Sequence, residues 1–382
     1  MRAGWCRWAA GAFALGCAGL AQAQAPTNDL QRDYLAPLRQ TSCPTGAKYQ
    51  APDPIELRTA RVPLQGMNPK RKTIGDLTFI DGFHLSSPDK RLGGLSGIDL
   101  LGDGDLLAVS DNGDFVWIDL GDDGVAPKAA RIAGMRDAAG KDIRGKAEGD
   151  AEGLAYNDGV ALVSFEGNHR ELAFDIGACG AAARGAPIVF GGFSGALTQA
   201  FDRAGLKVGG NAGPEALAVT PDWFLMAGLE SQAGGASPLS ARAIETRPEF
   251  DLTVGKGMPP VVGADIVTDG DQVRLFSLHR STNAMSSNVI SIMETVFTRE
   301  LDQAGLPARV VNEIDERSHV RFREVSSRVL AQMNLFVTID NFEGIAAREM
   351  PDGRARLYVI ADDNFSAKQR TLLMVYDVAK RG

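Results

Sequence analysis

The chain is poor in cysteine, histidine and basic charge, and each shortage removes a class of function. Of its 382 residues, four are cysteine and four are histidine. Cys6 and Cys17 fall in the first 23 residues, so only Cys43 and Cys179 remain beyond them. There is no HExxH string, and two cysteines with scattered histidines do not build a zinc centre. Past the leader no apolar run approaches 18 residues, which excludes a spanning helix and membrane insertion. A GxSxG elbow is also missing. The nearest strings, Gly94-Leu95-Ser96-Gly97 and Gly192-Phe193-Ser194-Gly195, have the wrong spacing for a serine nucleophile. Ser87-Pro88-Asp89-Lys90 matches SxxK, a pattern that chance supplies easily. Acids outnumber bases 48 to 40. That excess disfavours nucleic acid and anionic membrane surfaces as partners.

The leader itself is informative. MRAGWCRWAAGAFALGCAGLAQAQ has a basic start (Arg2, Arg7), an apolar stretch from Ala9 to Leu20, and Ala21-Gln22-Ala23 as a small-x-small cleavage site. It reads as a signal peptide over 1–23, followed by an N-terminal arm over 24–72. Cleavage near Ala23 removes two arginines and no acids, leaving 38 bases against 48 acids and a net charge near −10. The expected location is periplasmic or secreted. In an oxidising compartment Cys43 and Cys179 either pair or stay as two buried thiols.

Glycine is abundant, 44 of 382. Much of it sits in turn clusters between apolar runs: Gly102-Asp103-Gly104-Asp105, Asn157-Asp158-Gly159, Asp269-Gly270-Asp271 and Pro351-Asp352-Gly353. Turns at that density, flanked by β-prone runs, indicate many short antiparallel strands. The runs repeat. LSGIDLLGDGDLLAVSDNGD (95–114), DAEGLAYNDGVALVSFEGNHR (150–170), PEALAVTPDWFLMAGLES (214–231), GADIVTDGDQVRLFSLHRS (263–281) and FEGIAAREMPDGRARLYVIADDNFS (342–366) share one plan. Each has a polar residue, an apolar strand, a turn, a second apolar strand and a polar cluster. The leading residues Ser96, Glu152, Glu215, Asp265 and Glu343 are 56, 63, 50 and 78 residues apart. One four-stranded unit per interval makes a β-propeller blade.

Five units are counted, with five or six blades expected. The last unit ends at its third strand, TLLMVYDV. TIGDLTFIDGFHL (73–85) supplies the missing strand and closes the ring, so the propeller domain is read over 73–382. Strict tandem spacing and this open last blade speak against a β-sandwich or a two-domain α+β protein. Within 265–343 minor helical insertions are expected at 294–305 and 327–333, from helix formers and a glycine stop.

In an antiparallel pair the start of the first strand lies beside the end of the second. The polar ends of all blades therefore meet on one face, near the axis. That mouth is expected to gather Asp111, Glu152, Glu166, Glu215, Glu230, Asp265, Glu343, Asp362 and Asp363. Two carboxylates ~6 Å apart at an effective dielectric of ~20 repel by about 3 kcal/mol. Arginine pairing, raised carboxyl pKa values or a bound Ca²⁺ each relieve this. Oxygen-rich, sulfur-free sites suit Ca²⁺. The roles expected are metal ligation by Asp111, Glu215, Glu230, Asp265, Asp362 and Asp363, and catalysis by Glu152, Glu166, His169 and Glu343. Arg170, His279, Arg280 and Arg370 are expected to bind an anionic substrate. His84 and His319 fall outside the pattern. No protein partner is indicated.

The strings DAEGLA…VSFEGNHR, GPEALAV…GLE and NFEGIA…VIADDNFSAKQRTLLMVYDV resemble the phytase-like domain family, exported bacterial proteins described as having esterase-like activity of phytase. The resemblance runs from Leu92 to Val378. It implies a propeller and a phosphoesterase or esterase activity, without a catalytic assignment. The DDPAxW-type and NNVD-type motifs of calcium-dependent propeller phytases do not occur here. Two functions follow as expectations: metal-assisted hydrolysis of an anionic phosphate ester, or non-catalytic binding of a ligand, metal or protein at the same mouth.

Overall fold

The computed structural model describes residues 30–190, 193–194, 196–206, 213–282, 288–302 and 313–379. The expected signal peptide and its cleavage site lie outside the described residues.

Each sequence repeat folds into one antiparallel sheet, and five sheets make the propeller. Counted outward from the axis, blade I is Leu95–Leu100, Leu106–Ser110, Asp114–Leu120 and Pro127–Gly134. Blade II is Ala151–Asn157, Val160–Phe165, Arg170–Asp175 and the short Ala186–Pro187. Blade III is Pro214–Val219, Phe224–Leu229, Ser237–Ala243 and Leu252–Val254. Blade IV is Val261–Asp269, Gln272–Thr282, Asn288–Leu301 and Val320–Met333. Blade V is Asn341–Glu349, Ala355–Asp362, Leu372–Val378 and, from the other end of the chain, Leu77–Ser86. The five inner strands touch in a closed circle, I to II, III, IV, V and back to I. Of the expected five or six blades, there are five.

The ring closes as the unfinished last repeat required. Leu77–Ser86 pairs antiparallel with Leu372–Val378, from Val378 opposite Leu77 to Leu372 opposite His84. The preceding arm is sewn on at three places. Asp53–Ile55 adds a fifth strand to blade I, and Arg58–Arg61 flanks blade V outside Leu77–Ser86. The helix Ala36–Ser42 packs against blade II, where Cys43 and Cys179 form a disulfide with Cα atoms 5.7 Å apart. Facing blades are cemented by apolar side chains, with Phe115 of blade I edge-on to Phe174 of blade II and Phe224 of blade III edge-on to Phe322 of blade IV.

The helical insertions expected in blade IV are strands. Residues 294–301 belong to Asn288–Leu301 and 327–333 to Val320–Met333, paired from Leu301 opposite Val320 to Ile290 opposite Met333. Pairing of two 14-residue strands outweighs the helix preference of Leu, Ala, Gln and Met, because β structure is decided by cross-strand packing more than by intrinsic propensity. The remainder of 294–305, beyond 302, lies outside the described residues.

The disulfide links residues 136 apart in sequence. Tying a loop of that length removes unfolded-state entropy worth about 4–5 kcal/mol. Cys43→Ser with Cys179→Ser is expected to lower the unfolding free energy by roughly that amount, read as a shifted urea midpoint. A midpoint equal to that of the oxidised wild type would contradict it.

Candidate functional site

A backbone irregularity sets the site. Every inner strand carries a β-bulge near its start. Leu95 faces Ser110 and Gly97 faces Val109, leaving Ser96 extra. The same step falls between Ala151 and Leu154 in blade II, and between Pro214 and Ala216 in blade III. It recurs between Val261 and Gly263 in blade IV and between Phe342 and Gly344 in blade V. A bulge re-aims the extra side chain. Ser96, Glu152, Glu215 and Glu343 thus line one axial cavity of about 250 Å³.

The glycine after each bulge has a packing reason. A Cβ on Gly97 would lie 2.6 Å from the carbonyl oxygen of Glu152, and one on Gly153 would lie 2.7 Å from that of Glu215. The corresponding distances are 2.3 Å from Gly263 to Glu343 and 2.9 Å from Gly344 to Ser96. Each glycine lets the next blade's backbone close in, and blade III uses Ala216 there. The repeated Glu-Gly or Ser-Gly is therefore a ring-closing device and a side-chain pointer together.

A second tier comes from the residue just after the second-strand position that pairs with the inner strand before its bulge (Ser110, Phe165, Leu229, His279 and Ala361). Asp111, Glu166, Glu230, Arg280 and Asp362 occupy equivalent places in blades I to V, and all line the cavity. Of the nine acids expected, seven line it: Asp111, Glu152, Glu166, Glu215, Glu230, Glu343 and Asp362. Below them Ile98, Leu154, Leu217, Val262 and Ile345 narrow the axis to about 10 Å³, room for about one water, so the mouth is a blind cup.

Two expected acids lie elsewhere. Asp265 is not the leading residue of blade IV. That place is held by Val262, and Asp265 lies opposite Phe276, further along the axis. Its carboxylate accepts from the N–H groups of Ile266 (2.7 Å) and Ala347 (2.6 Å), stitching blade IV to blade V. Asp99 does the same between blades I and II through Leu100 and Tyr156. Burial holds both carboxyls above the usual carboxylate range, Asp99 at about 7. Asp363 is a clamp rather than a cavity residue. It accepts from Gly94 N–H at 2.9 Å, Phe365 N–H at 3.1 Å and the Thr371 hydroxyl at 3.0 Å.

The expected bases divide likewise. Arg280 lines the cavity, 2.9 Å from Glu343 and 3.4 Å from Glu230, and it donates to the Asn341 side-chain oxygen. His279 is its alternate neighbour and points into the sheet. It is fully buried between the Ser277 hydroxyl and the Pro259 carbonyl, both 2.9 Å away. Burial lowers its pKa to about 4, so it carries no charge to offer an anion. Arg170 turns away from the axis, stacking on the Phe165 ring at 4.4 Å and pairing with Glu148 at 3.6 Å. His169 sits beside Gly213 behind Glu166 and does not line the cavity. Arg370 pairs with Asp340 at 3.2 Å and lines a separate groove.

The sequence reading missed Lys146, Asp150, Asn341 and Asn364. Lys146, on the short turn of helix Lys146–Gly149, reaches within 3.6 Å of both Asp111 and Asp150. Asp150 stands two residues before Glu152, and alternation along a strand was the available signal. Nothing periodic marks Lys146.

The acids crowd. Burial first, then Glu343 and Glu166, raise the Glu152 pKa well above its ordinary value. Burial and Glu230 do the same for Glu215. Glu343 is pushed up to about 8 by burial, against the pull of Arg280, and Asp362 to about 6 by burial with Asp111 and Asp363. One oxygen each from Asp150, Glu152 and Glu166 lie within 4.8 Å of one another, close enough to share a metal ion. Buried Asp150 Oδ1 makes no hydrogen bond, and the Lys146 ammonium stands 3.6 Å from it.

Glu343 and Asp362 hold protons more tightly folded than unfolded. Their contribution to stability is complete below the unfolded carboxyl pKa near 4 and is lost as pH rises through about 6 and then about 8. In EDTA, the melting temperature is expected to fall across that window, with Glu343→Gln flattening the upper part. A midpoint that rises between pH 5 and 8 would contradict this.

The family model described as phytase-like, esterase-like activity of phytase, matches residues 90–365, covering all five inner strands and the whole cavity lining. The chain belongs to the phytase-like family. No curated protein sequence matches this phytase-like chain. Solved structures are similar to it at low identity. An exo-1,5-alpha-L-arabinanase from a bovine ruminal metagenomic library is 9% identical, covering 75% of this chain and 97% of its own, with a TM-score of 0.39. The PQQ domain of pyranose dehydrogenase from Coprinopsis cinerea is 10% identical over 87% and 99%, with a TM-score of 0.37. The alpha-L-arabinanase of Cellvibrio cellulosa is 11% identical over 82% and 94%, with a TM-score of 0.36. These likenesses bear on neither substrate nor reaction.

Proposed function

We propose that this phytase-like protein is an exported hydrolase of an anionic ester, a phosphate ester first, working at the propeller mouth with a divalent cation. The observation that carries the reading is the convergence of seven carboxylates and Arg280 on one blind cup. Asp150, Glu152 and Glu166 are the ligands of choice, and their all-oxygen character suits Ca²⁺ or Mg²⁺. A bound divalent cation supplies Lewis-acid polarisation of the ester and a more acidic water.

The chain's own residues do the rest. Arg280 gives the cup a fixed positive edge, held by Glu343, Glu230 and Asn341. Glu343, with its pKa near 8, keeps its proton at neutral pH and can donate it to a leaving oxygen. Asp111 and Asp150 hold Lys146 over the rim, a second cation for the incoming anion. The apolar floor of Leu154, Leu217 and Val262 blocks passage through the disc and admits only a small reacting head. The Cys43–Cys179 disulfide supports an oxidising compartment, in line with export. Among the described residues no helix is long and apolar enough to cross a membrane.

Purified protein is to be assayed on phosphomonoesters, phosphodiesters and carboxylic esters, with EDTA and with Ca²⁺ or Mg²⁺. Cation-dependent release of phosphate is expected. No turnover on any ester under any condition would overturn the hydrolase reading. The second reading, cation binding without turnover, is favoured by Arg280 already being engaged by Glu343 and Asn341, which leaves less of it free to clamp an anion.

A further inference from the structure

Beside the cup, and sharing Asn341 with it, lies a larger groove of about 750 Å³. Its two walls differ in chemistry. One is the loop before the inner strand of blade V, which contributes Leu335, Val337 and Ile339. Leu335 is half exposed, and Val337 and Ile339 are anchored on the core beneath. The other wall is the loop after Asp362, which contributes Lys368 and Arg370. Arg370 spends one edge of its guanidinium on Asp340 and on the carbonyl of Ile339. The Lys368 ammonium makes no hydrogen bond or ion pair among the described residues. Leu335, Val337 and Ile339 beside a free ammonium, in a lining that also carries Thr338, Ser366 and Gln369, match a ligand with an apolar stretch along its body and an anionic end.

The mouth alone cannot take such a ligand. Its cavity is a third of the groove's volume and its lining is polar and acid-rich. Asn341 bridges the two spaces. Its side-chain oxygen accepts from Arg280, its amide donates to Glu343 at 2.8 Å, and its neighbour Asp340 holds Arg370. A molecule with its head in the cup therefore has its remainder led past Asn341 onto Leu335, Val337 and Ile339.

We propose that this groove is the subsite for the non-reacting part of the substrate, and that the substrate class is an amphiphilic ester carrying a second anionic group on an apolar body. The identity of the reacting head rests on the hydrolase reading above, whereas the groove's preference for an apolar anion stands on its own residues. Ester head and distal anion are held by different charges, a cation-loaded mouth for one and Lys368 with Arg370 for the other.

The probe is 1-anilinonaphthalene-8-sulfonate, an apolar anion whose fluorescence rises in an apolar site. One site per folded protein is expected. Lys368→Glu and Leu335→Glu are each expected to weaken binding by about tenfold or more, with unchanged circular dichroism, while Glu343→Gln in the cup leaves it intact. For a hydrolysed aryl phosphate bearing a sulfonate, Lys368→Glu should raise KM and leave kcat unchanged, with little effect on methyl phosphate. Probe binding that neither groove variant alters overturns the proposal, as does no binding at all. A dimer that Lys368→Glu abolishes, with no probe bound, overturns it too by assigning the groove to a second copy. Groove-dependent probe binding without turnover of any ester upholds the groove and fails only the hydrolase reading.

Discussion

Glu152→Gln is expected to melt at a higher temperature than the wild type in EDTA and, on the proposed hydrolase reading, to lose at least ~100-fold in cation-dependent turnover. The two effects have opposite signs for one physical reason. Glu152 is half-buried among Glu343, Glu166, Asp150 and Asp111, and desolvation there, then their charges, raise its pKa well above the ordinary value. Removing its charge relieves repulsion that the cation-free fold must otherwise meet by holding protons. The same charge is one of three that converge within 4.8 Å for a cation. Gln keeps the shape and the bulge, so loss of function cannot be blamed on a collapsed cup. The check is a pair of measurements on one preparation: thermal melting in EDTA, and turnover against Ca²⁺ concentration. A variant that is less stable without cation, or that turns over normally, would remove Glu152 from the site.

Gly263→Ala is expected to cost about 3 kcal/mol or more, the largest effect among the four inner-strand glycines Gly97, Gly153, Gly263 and Gly344. The added Cβ would lie 2.3 Å from the carbonyl oxygen of Glu343, an atom of the neighbouring blade's backbone that cannot swing aside. Relief requires blades IV and V to part, and that draws Glu343 of blade V away from its partner Arg280 of blade IV. Stability and the cup therefore fail in the same variant. Gly102→Ala is the control, since nothing lies within 4 Å of a Cβ there. Removing a glycine's unfolded-state freedom at such a place is neutral or mildly stabilising. Equal urea midpoints for the two variants would contradict the close-packed ring.

Most of this fold was legible because it is written five times. A strand, a turn and a strand recur with polar ends, and only a propeller uses such a unit repeatedly about one axis. The unfinished last repeat pointed to 73–85 as the closing segment, and the strand that pairs there is Leu77–Ser86. The acids of blades I, II, III and V were legible for the same reason, because antiparallel pairing fixes which ends meet. Blade IV was misread. Its leading place is apolar Val262, so the nearest acid, Asp265, was taken in its stead, and the three-residue slip carried His279 with it. The true marker was Gly263, equivalent to Gly97, Gly153 and Gly344, and its meaning rests on an inter-blade distance that no local pattern contains. Lys146 was beyond reach, and so was the position of the expected Arg370 outside the cup, for a related reason. Both stand on loops, and a loop's direction is set by the contacts it finds, Asp111 and Asp150 for one and Asp340 for the other.

The central claim is that the mouth carboxylates trade protons for a divalent cation. Calorimetric titration of Ca²⁺ into EDTA-stripped, desalted protein at pH 7, repeated in two buffers of different ionisation enthalpy, tests it most directly. Saturable binding accompanied by net proton release is expected, since burial and neighbouring acids hold the Glu152 carboxyl well above its ordinary pKa and a bound cation favours its deprotonated form, with loss of that binding in Glu152→Gln. Absence of saturable binding, binding without proton release, or binding of undiminished strength in Glu152→Gln would contradict it.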